Sequence, residues 1–140
     1  MNVLFLDDDE QRTASFTSRF PDAVTVETAE ACIARLRDGT GEPERPSWDL
    51  VFLDHDLGGE FFVDSRRADT GMEVVRWILE NRPKIARIVI HTHNEFAGYE
   101  MEQELTRAGY DTVQLPFGTF DPVGFLEEPP AEGRDDATPR

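Results

Sequence analysis

Hydrophobic residues are concentrated in five short runs, and four longer stretches of mixed polarity separate these runs. The runs are rich in valine, isoleucine, leucine and phenylalanine. A short continuous apolar run of this kind is typical of a strand that is buried on both faces of a parallel sheet. We therefore predict strands over residues 3–6, 23–26, 48–53, 85–90 and 112–115.

Each of the four stretches between these runs contains a segment that repeats apolar residues every three or four positions, as amphipathic helices do. This spacing predicts four helices, the first over residues 10–20. Residues that commonly begin or end helices bound them, namely Pro21, Thr28, Gly39, Asp69 or Thr70, Pro83, Asn94 and Gly109. A short further helix is expected after Asp121.

Strands that alternate with helices predict an α/β fold with a parallel sheet covered by helices on both faces. For five strands the simplest arrangement is the flavodoxin-like, doubly wound sheet of order 2-1-3-4-5. The chain has 140 residues, and residues 1–126 are predicted to form one domain. Residues 127–140 are rich in Pro, Glu, Asp, Gly and Arg, which predicts a disordered acidic tail.

Polar clusters follow three of the predicted strands directly. They are Asp7-Asp8-Asp9, Asp54-His55-Asp56 and His91-Thr92-His93-Asn94. Strands 1, 3 and 4 are neighbours in the predicted order, and ligands bind at the carboxyl ends of the strands in such sheets. All three histidines of the chain are therefore expected at one edge of the sheet, beside several carboxylates.

Carboxylates crowded at one place repel one another, and a divalent cation relieves that repulsion. Oxygen ligands suit Mg²⁺ or Mn²⁺, whereas imidazole ligands would favour manganese, iron or zinc. The pattern predicts a Mg²⁺ or Mn²⁺ site, with candidate ligands Asp7, Asp8, Asp54 and Asp56.

The same edge offers candidates for chemistry on phosphorus. His55, His91 and His93 can each act as a general acid or base, because the ordinary pKa of histidine is close to neutral. Of the last two, His93 is expected to be the more exposed at the edge, and His91 to pack against a helix. Asp54 could act as a carboxylate nucleophile.

The connection over residues 58–71 is long for its place and contains Arg66 and Arg67. Long loops are often binding loops, and guanidinium groups suit phosphate oxygens. Arg66 and Arg67 are therefore candidate phosphate-binding residues, together with Asn94. The alternative is two solvated arginines.

A formal net charge of −15 argues against an extended nucleic-acid surface. It leaves open a small phosphorylated ligand held through a metal. Cys32 is expected in the core. With no apolar run of membrane-spanning length and no signal-peptide pattern, we expect a cytoplasmic protein without a membrane partner.

Residues 3–117 resemble the receiver domain of two-component response regulators. Asp7-Asp8 match the acidic pair after strand 1, with Asp8 the favoured metal ligand, and Asp54 matches the phospho-acceptor. Asp56 stands where the family offers a backbone carbonyl to the metal, and Thr92 matches the hydroxyl position after strand 4.

Three positions depart from that pattern. Leu115 stands in place of the lysine that contacts the phosphoryl group, Thr112 in place of the aromatic switch residue, and Gly58 in place of a proline. Loss of both the lysine and the aromatic residue weighs against a conventional phospho-switch.

Other motifs resemble the divergent cyclic-phosphate processing receiver family. They are LDHDLGG at 53–59, Asp-Thr-Gly at 69–71, His-Thr-His-Asn at 91–94, and the downstream Gly98 and Met101. The resemblance implies processing of cyclic-phosphate nucleotides or RNA ends. We expect a metal-assisted phosphoester hydrolase. The alternatives are a signalling domain that accepts phosphate at Asp54 and a nucleotide or metal sensor without turnover. Whether a homodimer or another protein partner is involved stays open.

Overall fold

The computed structural model describes residues 1–38, 48–57 and 64–115. Within these ranges the chain forms one parallel five-stranded sheet of order β2-β1-β3-β4-β5, which confirms the predicted fold class. The strands are β1 Val3–Leu6, β2 Val24–Val26, β3 Trp48–Leu53, β4 Ile85–Ile90 and β5 Thr112–Gln114. All five predicted strands are therefore present, two of them shorter by one residue.

Four helices connect the described strands, namely α1 Glu10–Arg19, α2 Ala29–Asp38, α3 Gly71–Asn81 and α4 Glu95–Arg107. Asn94 caps α4 as predicted, because its side chain accepts a hydrogen bond from the Ala97 backbone N–H at 3.2 Å. Thr70 stands at the start of α3 without capping it, since its hydroxyl donates to the Arg67 carbonyl instead. The expected helix after Asp121 and the expected tail over 127–140 lie outside the described residues.

The sheet is buried on both faces, which explains why β1 and the carboxyl-terminal halves of β3 and β4 are apolar throughout. Leu4 and Leu6 of β1 face a large cluster shared with α2, α3 and α4, while Phe5 faces a smaller cluster with Phe16 of α1. Cys32 is fully buried in the larger cluster, as expected. Across residues 1–38, 48–57 and 64–115, no helix is both long enough and apolar enough to span a membrane.

Candidate metal centre at the carboxyl edge of the sheet

The register of the sheet brings the ends of β1, β3 and β4 level with one another. Leu6 pairs with Leu53, and Leu53 pairs with Ile90. The residues that directly follow these strand ends are Asp7, Asp54 and His91. The backbone hydrogen bonding of the sheet continues through them, because the Asp54 N–H donates to the Leu6 carbonyl at 3.2 Å and the His91 N–H donates to the Leu53 carbonyl at 3.0 Å. Three polar side chains thus leave the sheet side by side.

Three of the four predicted metal ligands come together. Asp7, Asp8 and Asp54 each offer a carboxylate oxygen, and these oxygens lie within 4.8 Å of one another. Asp7 and Asp54 are buried, with 1% and 5% of their surface exposed, and Asp8 is half-buried. Buried like charges at this spacing are unfavourable without a cation, and an oxygen-only donor set fits Mg²⁺ or Mn²⁺.

Sequence reasoning missed Arg12, which is the cation that the structure places in this cluster. Its Nε donates to Asp7 Oδ2 at 2.8 Å and its Nη2 to Asp7 Oδ1 at 2.9 Å, while Nη2 lies 3.7 Å from Asp54 Oδ2. The hydrogen bonds to Asp7 raise the pKa of Arg12 above its usual range. One signal was available: Asp9 caps α1 through the Arg12 N–H, which fixes Arg12 in the turn beside the acidic loop.

Burial raises the pKa of the Asp54 carboxyl to about 7, and repulsion by Asp7 adds to the shift. Opposing this shift, Asp54 accepts hydrogen bonds from the His55 N–H at 2.8 Å and from the Thr92 hydroxyl, and Arg12 attracts it. Thr92 is itself buried and accepts a hydrogen bond from the Asn94 N–H, so it is held against the carboxylate. Binding of either a proton or a cation would therefore stabilise the Asp54 carboxylate near neutral pH.

In a chelating buffer, Asp54→Asn is expected to raise the free energy of unfolding at pH 8 by up to roughly 4 kcal/mol, and to change it little near pH 4. The folded state binds more protons than the unfolded state between the ordinary pKa of 3.8 and about 7, so wild-type stability falls as pH rises through that window. Urea titrations across this pH range test the expectation. Asp22→Asn, an exposed carboxylate between α1 and β2, is the matched control. A stability difference that does not vary with pH would contradict the assignment.

The Asp56 side chain lies outside this group of three. Its Oδ1 lies 2.7 Å from His55 Nδ1, and it accepts a hydrogen bond from Asn94 Nδ2 at 3.2 Å. β3 ends at Leu53, so the strand alternation that would place Asp54 and Asp56 on one face no longer applies. A contribution from Asp56 to the cation through its backbone carbonyl stays a prediction.

His55 is fully buried, and its two ring nitrogens face protein partners. Nδ1 faces Asp56, and Nε2 lies 3.0 Å from Ser65 Oγ, which in turn lies 3.4 Å from Glu100 Oε1. This chain of hydrogen bonds ties the end of β3 to the segment before α3 and to α4. A catalytic role for His55 stays a prediction.

His91 and His93 have opposite environments. His91 is buried, its ring stacks on Phe5 at a centroid distance of 4.9 Å, and its Nε2 lies 3.1 Å from the Leu6 carbonyl. Burial lowers the pKa of His91 to about 4. His93 is exposed, as expected. His91 packs within the smaller cluster on the α1 face of the sheet, with Phe52 its second aromatic neighbour.

Arg66 and Arg67 do not join the acidic cluster. Arg66 pairs with Asp64 at 2.7 Å and Arg67 with Asp69 at 2.6 Å, and these side chains are largely exposed. Their expected contact with phosphate stays a prediction.

Gly71 explains the Asp-Thr-Gly motif. A Cβ at this position would overlap with the backbone carbonyl of Asp54, and the Gly71 N–H donates to the His55 carbonyl at 3.0 Å. Only glycine lets the start of α3 approach the acidic strand end so closely. Any side chain here would displace the loop that carries Asp54.

A doubly wound sheet of this order, with acidic residues after its first and third strands, defines the class of receiver domains. The family model of the cyclic-phosphate processing Receiver domain matches residues 2–107, and the chain belongs to that family. No curated protein matches the chain by sequence.

Solved structures of response regulators share the fold. The Mn²⁺-bound form of response regulator Rcp1 is similar with a TM-score of 0.53 and 16% identity, covering 89% of this chain and 86% of that chain. The N-terminal domain of a response regulator/sensory box/GGDEF protein from Carboxydothermus hydrogenoformans has a TM-score of 0.60 and 14% identity, over 90% and 89%. The receiver domain of a modulated diguanylate cyclase from Desulfovibrio desulfuricans G20 has a TM-score of 0.53 and 14% identity, over 89% and 87%.

Proposed function

We propose that this protein is a metal-dependent phosphoesterase that opens cyclic phosphates on nucleotides or RNA ends. The observation that carries the proposal is the cluster of Asp7, Asp8 and Asp54, in which two carboxylates are buried within reach of a third. A cation is the ordinary partner of such a group, and phosphate oxygens are the ordinary further ligands of that cation. The family name supplies the class of phosphate.

Mg²⁺ or Mn²⁺ is the cofactor that fits. The three ligands that lie together are the carboxylates of Asp7, Asp8 and Asp54, so the donor set consists of oxygens. His91 contacts the Leu6 carbonyl through Nε2, and its Nδ1 lies 3.6 Å from Asp7 Oδ2. A set of oxygen donors favours magnesium or manganese over zinc. The related fold of Rcp1 was solved with Mn²⁺ bound.

Arg12 takes the part of the missing phosphate-contacting lysine. Leu115 stands at that lysine's position, where it packs against the apolar cluster on the α1 side of the sheet and carries no charge. Arg12 of α1 contacts Asp7 at 2.8 Å and lies 3.7 Å from Asp54. With a cation held by Asp7, Asp8 and Asp54, the Arg12 guanidinium would be available to donate two parallel hydrogen bonds to phosphate oxygens.

The reaction adds water across one ring P–O bond. When bound, the cation polarises a phosphoryl oxygen and lowers the pKa of a coordinated water. The water oxygen attaches to phosphorus and gives up one proton to solvent, the bond to one ribose oxygen breaks as that oxygen takes up a proton, and the product is a phosphomonoester. His93, the exposed histidine beside the edge, protonates the departing ribose oxygen. Asn94 and Thr92 hold the surrounding loop through Asp56 and Asp54.

A turnover assay with a panel of substrates tests this proposal. The panel consists of 2′,3′-cyclic nucleotides, an RNA with a 2′,3′-cyclic phosphate end and a linear phosphodiester. We expect turnover of the cyclic substrates by the wild type and by Asp22→Asn, and its loss in Asp54→Asn. Cation binding without turnover of any substrate would make the site a sensor. Phosphorylation of Asp54 by acetyl phosphate with a structural response at β5 would support signalling instead.

A further inference from the structure

The start of α4 carries two aromatic side chains that the core does not use. Phe96 is 90% exposed and Tyr99 is 59% exposed, and apart from Met1 they are the large hydrophobic residues that stand exposed among residues 1–38, 48–57 and 64–115. They are three positions apart, so they share one face of the helix. Two exposed rings on one face are unfavourable in water unless something packs on them.

These rings line a cavity of about 430 Å³, together with Glu95 and Gln114. Gln114 Nε2 donates to the Glu95 carbonyl at 3.5 Å, a long hydrogen bond that leaves the amide oxygen of Gln114 as an acceptor. The cavity therefore combines flat apolar walls with a few polar groups. This combination suits a planar heterocycle with donors and acceptors along its edge.

The cavity adjoins the acidic cluster through Gly98. A Cβ at Gly98 would lie 2.5 Å from Gln114 Nε2 and 3.0 Å from Thr92 Cγ2, so both side chains pack over this glycine. Thr92 in turn hydrogen-bonds to Asp54. Thr92 is thus a neighbour both of Asp54 and of the end of the cavity where Gln114 lies.

The charge of α4 disfavours an anionic group in the cavity, because Glu95 itself lines it. Glu95 opens the helix and Glu100 and Glu102 follow within two turns, with Arg107 the one basic residue of α4 and at its far end. A phosphate would be repelled there, whereas a neutral base would not. The chemistry therefore divides a nucleotide between two places, with phosphate at the aspartates and base at the aromatic rings.

We propose that Phe96 and Tyr99 form a stacking platform for the nucleobase of the substrate, so that the protein acts on nucleoside cyclic phosphates rather than on cyclic phosphates in general. The proposal rests on the proposed function for the position of the phosphate. Stacking on aromatic side chains is tolerant of base identity, so we expect weak preference among bases and strong preference for having a base.

The test compares three probes: 2′,3′-cyclic AMP, ribose 2,3-cyclic phosphate without a base, and adenosine without a phosphate. Phe96→Ala combined with Tyr99→Ala is expected to weaken 2′,3′-cyclic AMP binding or kcat/KM by roughly 5- to 100-fold and leave the base-free probe unchanged. Phe96→Tyr combined with Tyr99→Phe keeps both rings and should retain wild-type selectivity. Equal use of the two cyclic phosphates by the wild type would overturn the platform and leave hydrolysis intact.

Adenosine separates the two proposals. Chemical-shift changes at Phe96, Tyr99 and Gln114 on adding adenosine, lost in the double alanine variant, would support the platform even if no substrate is turned over. Absence of such changes, together with a change in sedimentation when the rings are removed, would identify the surface as a protein–protein contact and overturn the proposal.

Discussion

Replacing His91 with alanine is expected to lower the free energy of unfolding by roughly 2–4 kcal/mol. Replacing His93 with alanine is expected to leave stability nearly unchanged and to reduce turnover by roughly 10²- to 10⁴-fold. His91 is buried against Phe5 and Phe52, so its removal leaves a cavity and deprives the Leu6 carbonyl of its imidazole partner. His93 is exposed, so its removal leaves none.

The pH dependence provides an internal check on His91. Its pKa is lowered to about 4, so the unfolded state binds more protons than the folded state between pH 4 and about 6.5. The stability that the neutral ring supplies is complete above that window and is lost as pH falls through it. The difference in the free energy of unfolding between wild type and His91→Ala should therefore shrink as pH falls. Asp54 titrates in both proteins, so its contribution largely cancels in that difference.

Urea denaturation and steady-state kinetics on the same two variants measure the outcome. The assignment would be contradicted if His91→Ala folded with wild-type stability, or if His93→Ala kept full turnover. If His55→Ala, His91→Ala and His93→Ala all kept full turnover, imidazole would have no part in the chemistry.

Replacing Asp8 with asparagine is expected to abolish most of the stabilisation that Mg²⁺ or Mn²⁺ gives to the folded protein. A ligand that binds only the folded state, at one hundred times its dissociation constant, adds about 2.7 kcal/mol, which is roughly 8–10 °C in melting temperature for a chain of this size. Asp8 is the most accessible of the three clustered carboxylates. Asparagine at this position therefore removes a charge with little change in packing.

Thermal denaturation with and without the cation measures this effect in the wild type, in Asp8→Asn and in Asp22→Asn. The Asp22 variant loses the same charge away from the cluster and should respond to the cation as the wild type does. An equal rise in melting temperature for the wild type and Asp8→Asn would exclude a shared site.

The sheet and the strand ends could be predicted because both follow from local patterns. β1 and the last four residues of β3 are buried on two faces, so they are apolar throughout, and the next polar residue marks where each strand leaves the core. The parallel register then places Asp7 beside Asp54. Prediction of the acidic cluster therefore needed only the strand order and the rule that parallel strands end at one edge.

Arg12 and the Asp56 side chain could not be predicted in this way. The contact of Arg12 with Asp54 joins a helix to a strand far along the chain, and no periodicity in the sequence encodes it. The direction of Asp56 depends on how the chain turns after β3 and on the positions of His55 and Asn94. Both features are set by tertiary packing between elements that are distant in the sequence.

Cation-dependent opening of a cyclic phosphate is measured most directly by phosphorus NMR of 2′,3′-cyclic AMP incubated with the wild-type protein, first in a chelator and then after addition of Mg²⁺. We predict that the resonance of the cyclic phosphate persists in the chelator and is replaced by that of a phosphomonoester once Mg²⁺ is present. Conversion at the same rate in chelator, or no conversion by protein that has been shown to bind the cation, would contradict the proposed function.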